Sequence, residues 1–463
     1  MLNTFDIVSP VDGSVYATRE YASPSAIAGA LASAQAALKT WRDTPFEERE
    51  KMVLAFLAAV KARAEVLAKH VSWQMGRPLW KADETQRLID WSAMTAEAAR
   101  RFFRPIELEQ SSDVRREIDM QPLGICLSIS AWNYPVVMAT SLVSAPLLMG
   151  NVVLYKPSPQ TALVGEVFNE AARECGLPEG VFQSLDMTHP DAEALIGSDN
   201  IQLVQFVGST RGGQAVYDAG RGTFTRFGLE LGGKDPAYFR ADSLIEPIMD
   251  DLVEGCFGNA GQSCCSVERI YVHRSIYKDF VDALVAAAEK VGVGHPIDEK
   301  PMFGPLVSSA SAKRVTGLAE QAVRSGARPL LRSGLSPLAV PGSAYVEHQL
   351  LADADHSMDI YRDEVFGPIV PIMAVDSDED AIRLMNDSEY GLTASIWSQD
   401  TDAALALGRR IESGTFYVNQ CDFADRILSW GGVKKSGIGR SYGIKGLDEL
   451  VEARSYHIRT RTA

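Results

Sequence analysis

Apolar positions recur along the chain at two spacings, and the switches between them lay out the elements. Short extended runs on either side of Pro10-Val-Asp-Gly13 predict two strands joined by a turn within residues 1–20. After Ser23-Pro24, residues Ile27, Leu31, Ala34 and Leu38 recur at helical spacing, with the proline in the first turn. Met52, Phe56, Val60 and Leu67 carry the same period through one long helix from about Glu47 to Met75, stopped by Gly76 and Pro78. A third helix is expected over residues 82–102. These helices carry no evident chemistry and read as a structural layer.

From residue 105 to 122 the pattern turns charged and extended, as in Asp113-Val-Arg-Arg-Glu-Ile-Asp-Met-Gln121. The alternation predicts an exposed β-hairpin. Such an edge is either covered, with a partner subunit as the expected cover, or simply solvated. The last extended run, Glu452–Arg461, is positioned to pair with it. Between them, short β runs alternate with helical runs. Gly124–Ser130, Asn151–Lys156, Gln202–Val207 and Pro236–Phe239 read as strands, and Thr161–Cys175 reads as one of the helices. The same alternation recurs from 245 to about 430. Alternating βα order predicts an α/β protein of two doubly wound, Rossmann-like parallel-sheet domains, with binding at the carboxyl ends of the strands.

Composition narrows the class. A length of 463 residues suits two or three domains, and 46% hydrophobic with 23% charged residues is ordinary for a globular chain. The net charge of −15 argues against nucleic acid or an anionic membrane as partner. The most apolar stretch, Tyr134–Gly150, is interrupted by Thr140, Ser141, Ser144 and Pro146, so it reads as buried core and not as a membrane span. No CxxC pair occurs among the six cysteines and no ligand spacing among the seven histidines, so no metal site is expected. A reducing, cytoplasmic setting fits, and the first ten residues lack a signal-peptide pattern.

Chemistry concentrates in Phe257-Gly-Asn-Ala-Gly-Gln-Ser-Cys-Cys-Ser266. Structural cysteines usually sit in apolar runs, whereas Cys264 lies among dipoles and backbone amides able to stabilise a thiolate. Cys265 points another way if the segment is extended. Glu230, in Phe227-Gly-Leu-Glu-Leu-Gly-Gly-Lys234, is a carboxylate in an apolar, glycine-rich surround, which raises its pKa toward that of a general base. Asn133 in Ala131-Trp-Asn-Tyr-Pro135 follows a strand, where its amide can donate to an oxyanion. Lys156 and Ser158 close another strand, within reach of a ribose or phosphate. Phe206-Val-Gly-Ser-Thr-Arg-Gly-Gly213 leads from strand to helix, and Gly208, Ser209 and Gly213 suit a phosphate at a helix N-terminus, although the spacing is not GxGxxG. Glu364 and Phe366 in Asp363-Glu-Val-Phe-Gly-Pro368 suit ribose hydroxyls and a flat ring.

Singly, most of these motifs also fit ordinary turns. In this order and spacing, with Glu230 ahead of Cys264 by 34 residues, Asn133 ahead of Lys156 by 23, and Gly431-Gly-Val-Lys-Lys-Ser-Gly-Ile-Gly-Arg440 near the end, the chain resembles the aldehyde dehydrogenase superfamily over nearly its whole length. The resemblance implies Cys264 as nucleophile, Asn133 with the Cys264 backbone N–H as oxyanion hole, and Glu230 as activator of the hydrolytic water. It implies NAD or NADP held by Trp132, Lys156, Ser158, Gly208, Ser209, Gly213, Glu364 and Phe366. Many NAD-preferring members carry a glutamate three residues after the lysine. Pro159 stands there in this chain, so a 2′-phosphate is admissible.

The same matching lines an aldehyde tunnel with Tyr134, Met138, Ser141, Ser263, Cys265, Phe423, Arg426 and Trp430. An inward Arg426 would suit a carboxylate-bearing aldehyde such as succinate semialdehyde, and an inward Asp422 or Asp425 an aminoaldehyde. Residues of this loop exposed at the rim would select neither. The overall length resembles semialdehyde-type members. The implied layout is a dinucleotide-binding domain of residues 1–104 and 123–232, a catalytic domain of 233–440, and a small β oligomerisation arm of 105–122 and 441–463 that would build a homodimer or homotetramer. Two other readings stand beside oxidation to a free acid. One is a CoA-acylating enzyme, against which Glu230 speaks. The other is a catalytically silent member used as a binding protein, against which the intact set of Cys264, Glu230, Asn133 and Lys156 speaks.

Overall fold

Strands Thr4–Val8 and Val15–Glu20 pair antiparallel around the Pro10–Gly13 turn in the computed structural model, which describes residues 3–103, 106–108, 113–334 and 336–459. Helix Pro24–Trp41 starts where the sequence signals it. The Ser23 hydroxyl accepts the Ala26 N–H, a cap worth about 1 kcal/mol. Ile27, Ala30, Ala34, Ala37 and Trp41 form its buried stripe, while Leu31 and Leu38 only pack against it. The single helix expected from Glu47 to Met75 is two, Phe46–Lys61 and Ala64–Met75. The break falls at Ala62–Arg63, with neither glycine nor proline, and Val60 and Leu67 on its two sides are both buried. The apolar period runs through the break unchanged, which is why the pattern does not reveal it. The third helix is also shorter than expected, Leu88–Phe102. The residues before it make a turn in which Asp83 accepts the backbone N–H and hydroxyl of Thr85.

The first sheet runs in the order Gly437–Ile438, Arg226–Glu230, Leu203–Val207, Ile125–Ile129, Val152–Lys156, Phe182–Ser184. All pairings are parallel except that of Gly437–Ile438 at the edge. The order reverses between Ile125–Ile129 and Leu203–Val207, so the crevice of a doubly wound sheet opens at their carboxyl ends. Ala131-Trp-Asn133 follows one of these strands and Gly208-Ser209 the other. The second sheet runs Arg328–Pro329, Gln349–Ala352, Ile369–Val375, Val267–His273, Asp235–Phe239, Thr393–Trp397, Thr415–Val418, parallel but for the first pair. Ile125–Ile129, Val152–Lys156, Asp235–Phe239 and Thr393–Trp397 are buried throughout, as strands covered on both faces must be.

Residues 231–234 join the carboxyl end of the last parallel strand of the first sheet to the amino end of Asp235–Phe239 in the second. This link sets the crevice of one sheet against the loops that enter the other. Each sheet has its own core, one around Trp41, Phe56, Tyr155 and Phe168, the other around Phe239, Phe257, Tyr271 and Trp397.

Val114–Pro122 pairs antiparallel with Ile106–Glu107 and, over nine residue pairs from Val114↔Arg459 to Pro122↔Val451, with Val451–Arg459. The expected C-terminal strand is therefore present over its described residues. Two boundaries differ from expectation. Residues 437–438 belong to the edge of the first sheet and not to the second unit. Residues 443–448 form a helix whose Leu447, with Leu450 and Val451, is buried in the first core, so the arm begins at 451 and not at 441. Among the described residues no helix is long and apolar enough to cross a membrane, and no group of three or more His, Cys, Asp or Glu residues is placed to hold a metal ion.

Candidate active site

The turn that carries Cys264 is held by side chains from three parts of the chain. Asn259, Ala260 and Gly261 all take positive φ (53°, 59° and 68°), a conformation that non-glycine residues adopt only when their surroundings impose it. Asn259 supplies much of that constraint. Its Nδ2 donates to the Asn133 and Gln262 carbonyls (3.1 Å each), and its Oδ1 accepts from Arg77 Nε (3.1 Å). Gln262 returns a bond to the Asn259 carbonyl and accepts the Val307 N–H. Gly261 is required twice over, since a Cβ there would also lie 2.5 Å from the Gly367 carbonyl oxygen.

Cys264 is partly buried, and Cys265 is buried. The Cys265 thiol donates to Asp422 Oδ1 (2.8 Å), and the Ser263 hydroxyl donates to the same oxygen (2.9 Å). A hydrogen bond with Cys264, burial and the Asp422 carboxylate all push the Cys265 thiol pKa well up. The two adjacent cysteines therefore differ in kind. Cys265 is tied to a carboxylate that disfavours its thiolate.

Asn133 precedes helix Pro135–Leu148, whose proline sits at its start. The first amides of that helix are satisfied by the buried carboxylate of Glu84, which accepts from Val136 N and Val137 N (2.8 Å each) and pairs with Arg77. Arg77 in turn donates to the Asn133 carbonyl. The Asn133 Nδ2 donates to the Gln262 carbonyl (3.1 Å), which places this amide beside the Cys264 turn. The N-terminal layer thus positions the site, contrary to its reading as purely structural. Neither Arg77 nor Glu84 lies near a motif, and no local signal marks them.

Glu230 ends the strand Arg226–Glu230. Burial raises its pKa. The Ser441 hydroxyl, the charge of Arg426 and the Trp430 side chain oppose that rise. Ser441 comes into range because Gly437–Ile438 pairs with Leu229 and Glu230.

On the crevice side, Trp132 and Phe366 meet edge to face with ring centroids 5.6 Å apart. Phe366 is fixed by Glu268, which accepts from Val365 N and Phe366 N (2.8 Å each) and from buried Lys234 Nζ (2.8 Å). Glu364 accepts the Gly233 N–H (3.1 Å), and burial followed by the nearby Glu268 charge raises its pKa. Gly232 and Gly233 permit this approach. A Cβ on the first would lie 2.5 Å from the Glu364 carboxylate, and one on the second 2.5 Å from the Cys264 carbonyl oxygen. Lys156 is buried at the end of its strand, where desolvation lowers its pKa, and no carboxylate among the described residues ion-pairs with it. Ser158 leads into a short 3₁₀ turn, Pro159–Thr161. Ser209 caps helix Thr210–Ala219 through the Gly212 N–H (3.1 Å). The positions of Gly208 and Gly213 are set against the Phe206 ring and Leu231, where a Cβ would lie 2.6 and 2.4 Å away. Packing within the chain therefore accounts for these two glycines.

All eight residues expected in the tunnel line one cavity of about 800 Å³, together with Cys264 and Glu230. Trp91 and Met94 also line it, as do Ser441 and Tyr442, which no motif marked. Phe423 lies at the mouth and is 44% exposed. Arg426 turns inward. Its guanidinium stacks between Trp91 and Tyr442, 4.5 and 3.7 Å from the ring centroids, and Nη1 donates to Ser141 Oγ (2.8 Å). Asp422 also lines the cavity, with its pKa pushed up by burial to about 6, whereas Asp425 accepts the Ile427 N–H and takes no part in the lining.

A crevice at the strand ends of a doubly wound sheet, together with a cavity holding a cysteine and a buried carboxylate, describes a nucleotide-dependent dehydrogenase. The sequence profile of the aldehyde dehydrogenase family matches residues 2–456, and the chain belongs to that family. It is an NAD(P)-dependent aldehyde dehydrogenase, an oxidoreductase that oxidises aldehydes. Among its relatives, betaine aldehyde dehydrogenase 2 of Rhizobium meliloti (strain 1021) is 30% identical over 98% of this chain and 94% of its own. The crystal structure of betaine aldehyde dehydrogenase from Staphylococcus aureus with NAD+ superposes with a TM-score of 0.93 at 27% identity, covering 100% of this chain and 93% of that one. NADP-dependent glyceraldehyde-3-phosphate dehydrogenase from Bacillus halodurans C-125 with NADP gives 0.92 at 29% identity, covering 99% and 96%.

Proposed function

We propose that the chain converts an aldehyde to its free carboxylic acid, with Cys264 as nucleophile and Glu230 as general base. The observation that carries this reading is that Cys264 and Glu230 line one cavity while the Asn133 amide lies against the same turn. The Cys264 thiolate adds to the aldehyde carbon, and the Asn133 Nδ2 and Cys264 backbone N–H hold the resulting oxyanion. When bound, NAD or NADP supplies the hydride acceptor that turns the thiohemiacetal into a thioester. Glu230 then takes a proton from water as that water attacks the thioester carbon, and the acid leaves with Cys264 restored. The dinucleotide is held by the unit of residues 1–104 and 123–232, with Glu364 and Phe366 reaching it from 233–440. Lys156 and Glu364 face its ribose hydroxyls, Trp132 and Phe366 its rings, and Ser158, Gly208 and Ser209 follow strand ends nearby, with Gly213 in the helix that Ser209 caps. The buried ammonium of Lys156, without an ion pair among the described residues, and the Glu364 carboxylate, which only Gly232 lets approach, are what the fit of that cofactor rests on. The second sheet, within 233–440, supplies the nucleophile.

The exposed edge of Val451–Arg459 is the basis for a homodimer or homotetramer. The six free cysteines are the basis for a cytoplasmic, reducing setting. Reduced-nicotinamide absorbance with each cofactor and a panel of aldehydes, followed by product identification with and without CoA, tests the reading. A free acid in both cases supports it. An acyl-CoA, or no reduction with any aldehyde, overturns it.

A further inference from the structure

The geometry points to an aldehyde that carries a carboxylate at its far end, a short ω-oxo acid, with Arg426 as the residue that binds that carboxylate. This deepens the proposed oxidation and rests on it.

Arg426 is the interior cation of the cavity. The other charged lining residues are Glu97 and Arg101, both exposed at the mouth, and Glu230 and Asp422 inside. Glu230 accepts from Ser441, and Asp422 accepts from Ser263 and Cys265 through Oδ1. Among the described residues Arg426 makes no direct ion pair with a carboxylate, and its charge acts on Glu230 from a distance. Nη1 is used on Ser141, and Nε is buried without a hydrogen-bond partner. Nη2 has no acceptor among the described residues and is not sealed from the cavity. Nε is shut away from the cavity, so Nη2 is the donor that an incoming carboxylate meets. A carboxylate accepting from Nη2 makes a charge-assisted hydrogen bond, and the stacked Trp91 and Tyr442 rings hold the guanidinium in place for it.

A cationic aldehyde meets Arg426 as a like charge, and one face each of Trp91, Tyr442 and Tyr134 is already taken by an arginine, Arg426 for the first two and Arg77 at 4.1 Å for the third.

The test compares succinate semialdehyde, butanal and 4-trimethylammoniobutanal as substrates of the wild-type enzyme, Arg426→Gln and Arg426→Lys. In the wild type, kcat/KM should rank the oxo acid first and the cation last. The ratio of oxo acid to butanal should fall about 30-fold or more in Arg426→Gln and by less in Arg426→Lys. Succinate, titrated calorimetrically into the wild type, should bind and should lose binding in Arg426→Gln. Oxidation of butanal as efficiently as the oxo acid, or preference for the cation, overturns the assignment while leaving aldehyde oxidation intact. Turnover of none of the three would instead sink the proposed function. Should Arg426→Gln fail to fold, the wild-type ranking, the Arg426→Lys ratio and succinate binding by the wild type still decide.

Discussion

Cys264 and Cys265 are neighbours in the chain with different environments, and the difference is testable. Cys265 is buried and donates to a carboxylate, so its thiolate is disfavoured. Cys264→Ser should abolish reduction of the nicotinamide, whereas Cys265→Ser should retain most of it. The reverse pattern in steady-state assays would reassign the nucleophile. Glu230 leads to a pH prediction. Burial raises its pKa above the ordinary 4.5, and a base must be ionised to act, so thioester hydrolysis should rise with pH through a midpoint above that value and be lost below it. Glu230→Gln should give a burst of reduced cofactor and then stall, and the acidic limb should vanish from what remains. Stopped-flow absorbance across pH reads both effects.

At the scale of elements, the site depends on close backbone approaches. The Cys264 turn touches Gly367 through Gly261, and the link between the sheets reaches Glu364 and Cys264 through Gly232 and Gly233. Gly261→Ala adds a Cβ where φ is 68° and a carbonyl oxygen stands 2.5 Å away, so it should cost at least about 2 kcal/mol, visible as a lowered denaturant midpoint. The glycines in these motifs are legible in the sequence as turn residues. What each makes room for is not. The same holds for Gly208 and Gly213, which suggested a phosphate contact and which packing against Phe206 and Leu231 explains without one. Helix Pro135–Leu148 shows the complementary case. Its start is signalled by Pro135, but the carboxylate that satisfies its first amides comes from Glu84, some fifty residues earlier in the sequence, through a turn with no motif.

For the molecule as a whole, the arm presents a long edge, Val451–Arg459 at nine residues, with pairing on one side. Val451–Arg459 pairs with Val114–Pro122 on one side and has no strand on the other among the described residues. If that edge pairs across subunits, Ser455→Pro should shift the protein to a smaller species in sedimentation velocity while leaving the thermal unfolding of the two cores largely intact. An unchanged sedimentation coefficient would place the interface elsewhere.

The sequence by itself determined the two βα alternations and the parallel sheets they build, because each rests on a local period, and it marked candidate chemistry at 133, 156, 230, 264 and 364 through the joint order and spacing of motifs that resemble one family's. The tertiary structure alone decided what faces what. It turned Arg426 into the cavity between Trp91 and Tyr442, bound Cys265 to Asp422, and brought Arg77, Glu84 and Ser441 to the site. These contacts join residues far apart in the chain, and hydrophobic period and motif spacing carry no information about such pairs. For this reason the Gln420–Arg426 loop could not be oriented from the sequence, and the structure turns both Arg426 and Asp422 to the cavity while leaving Asp425 outside its lining.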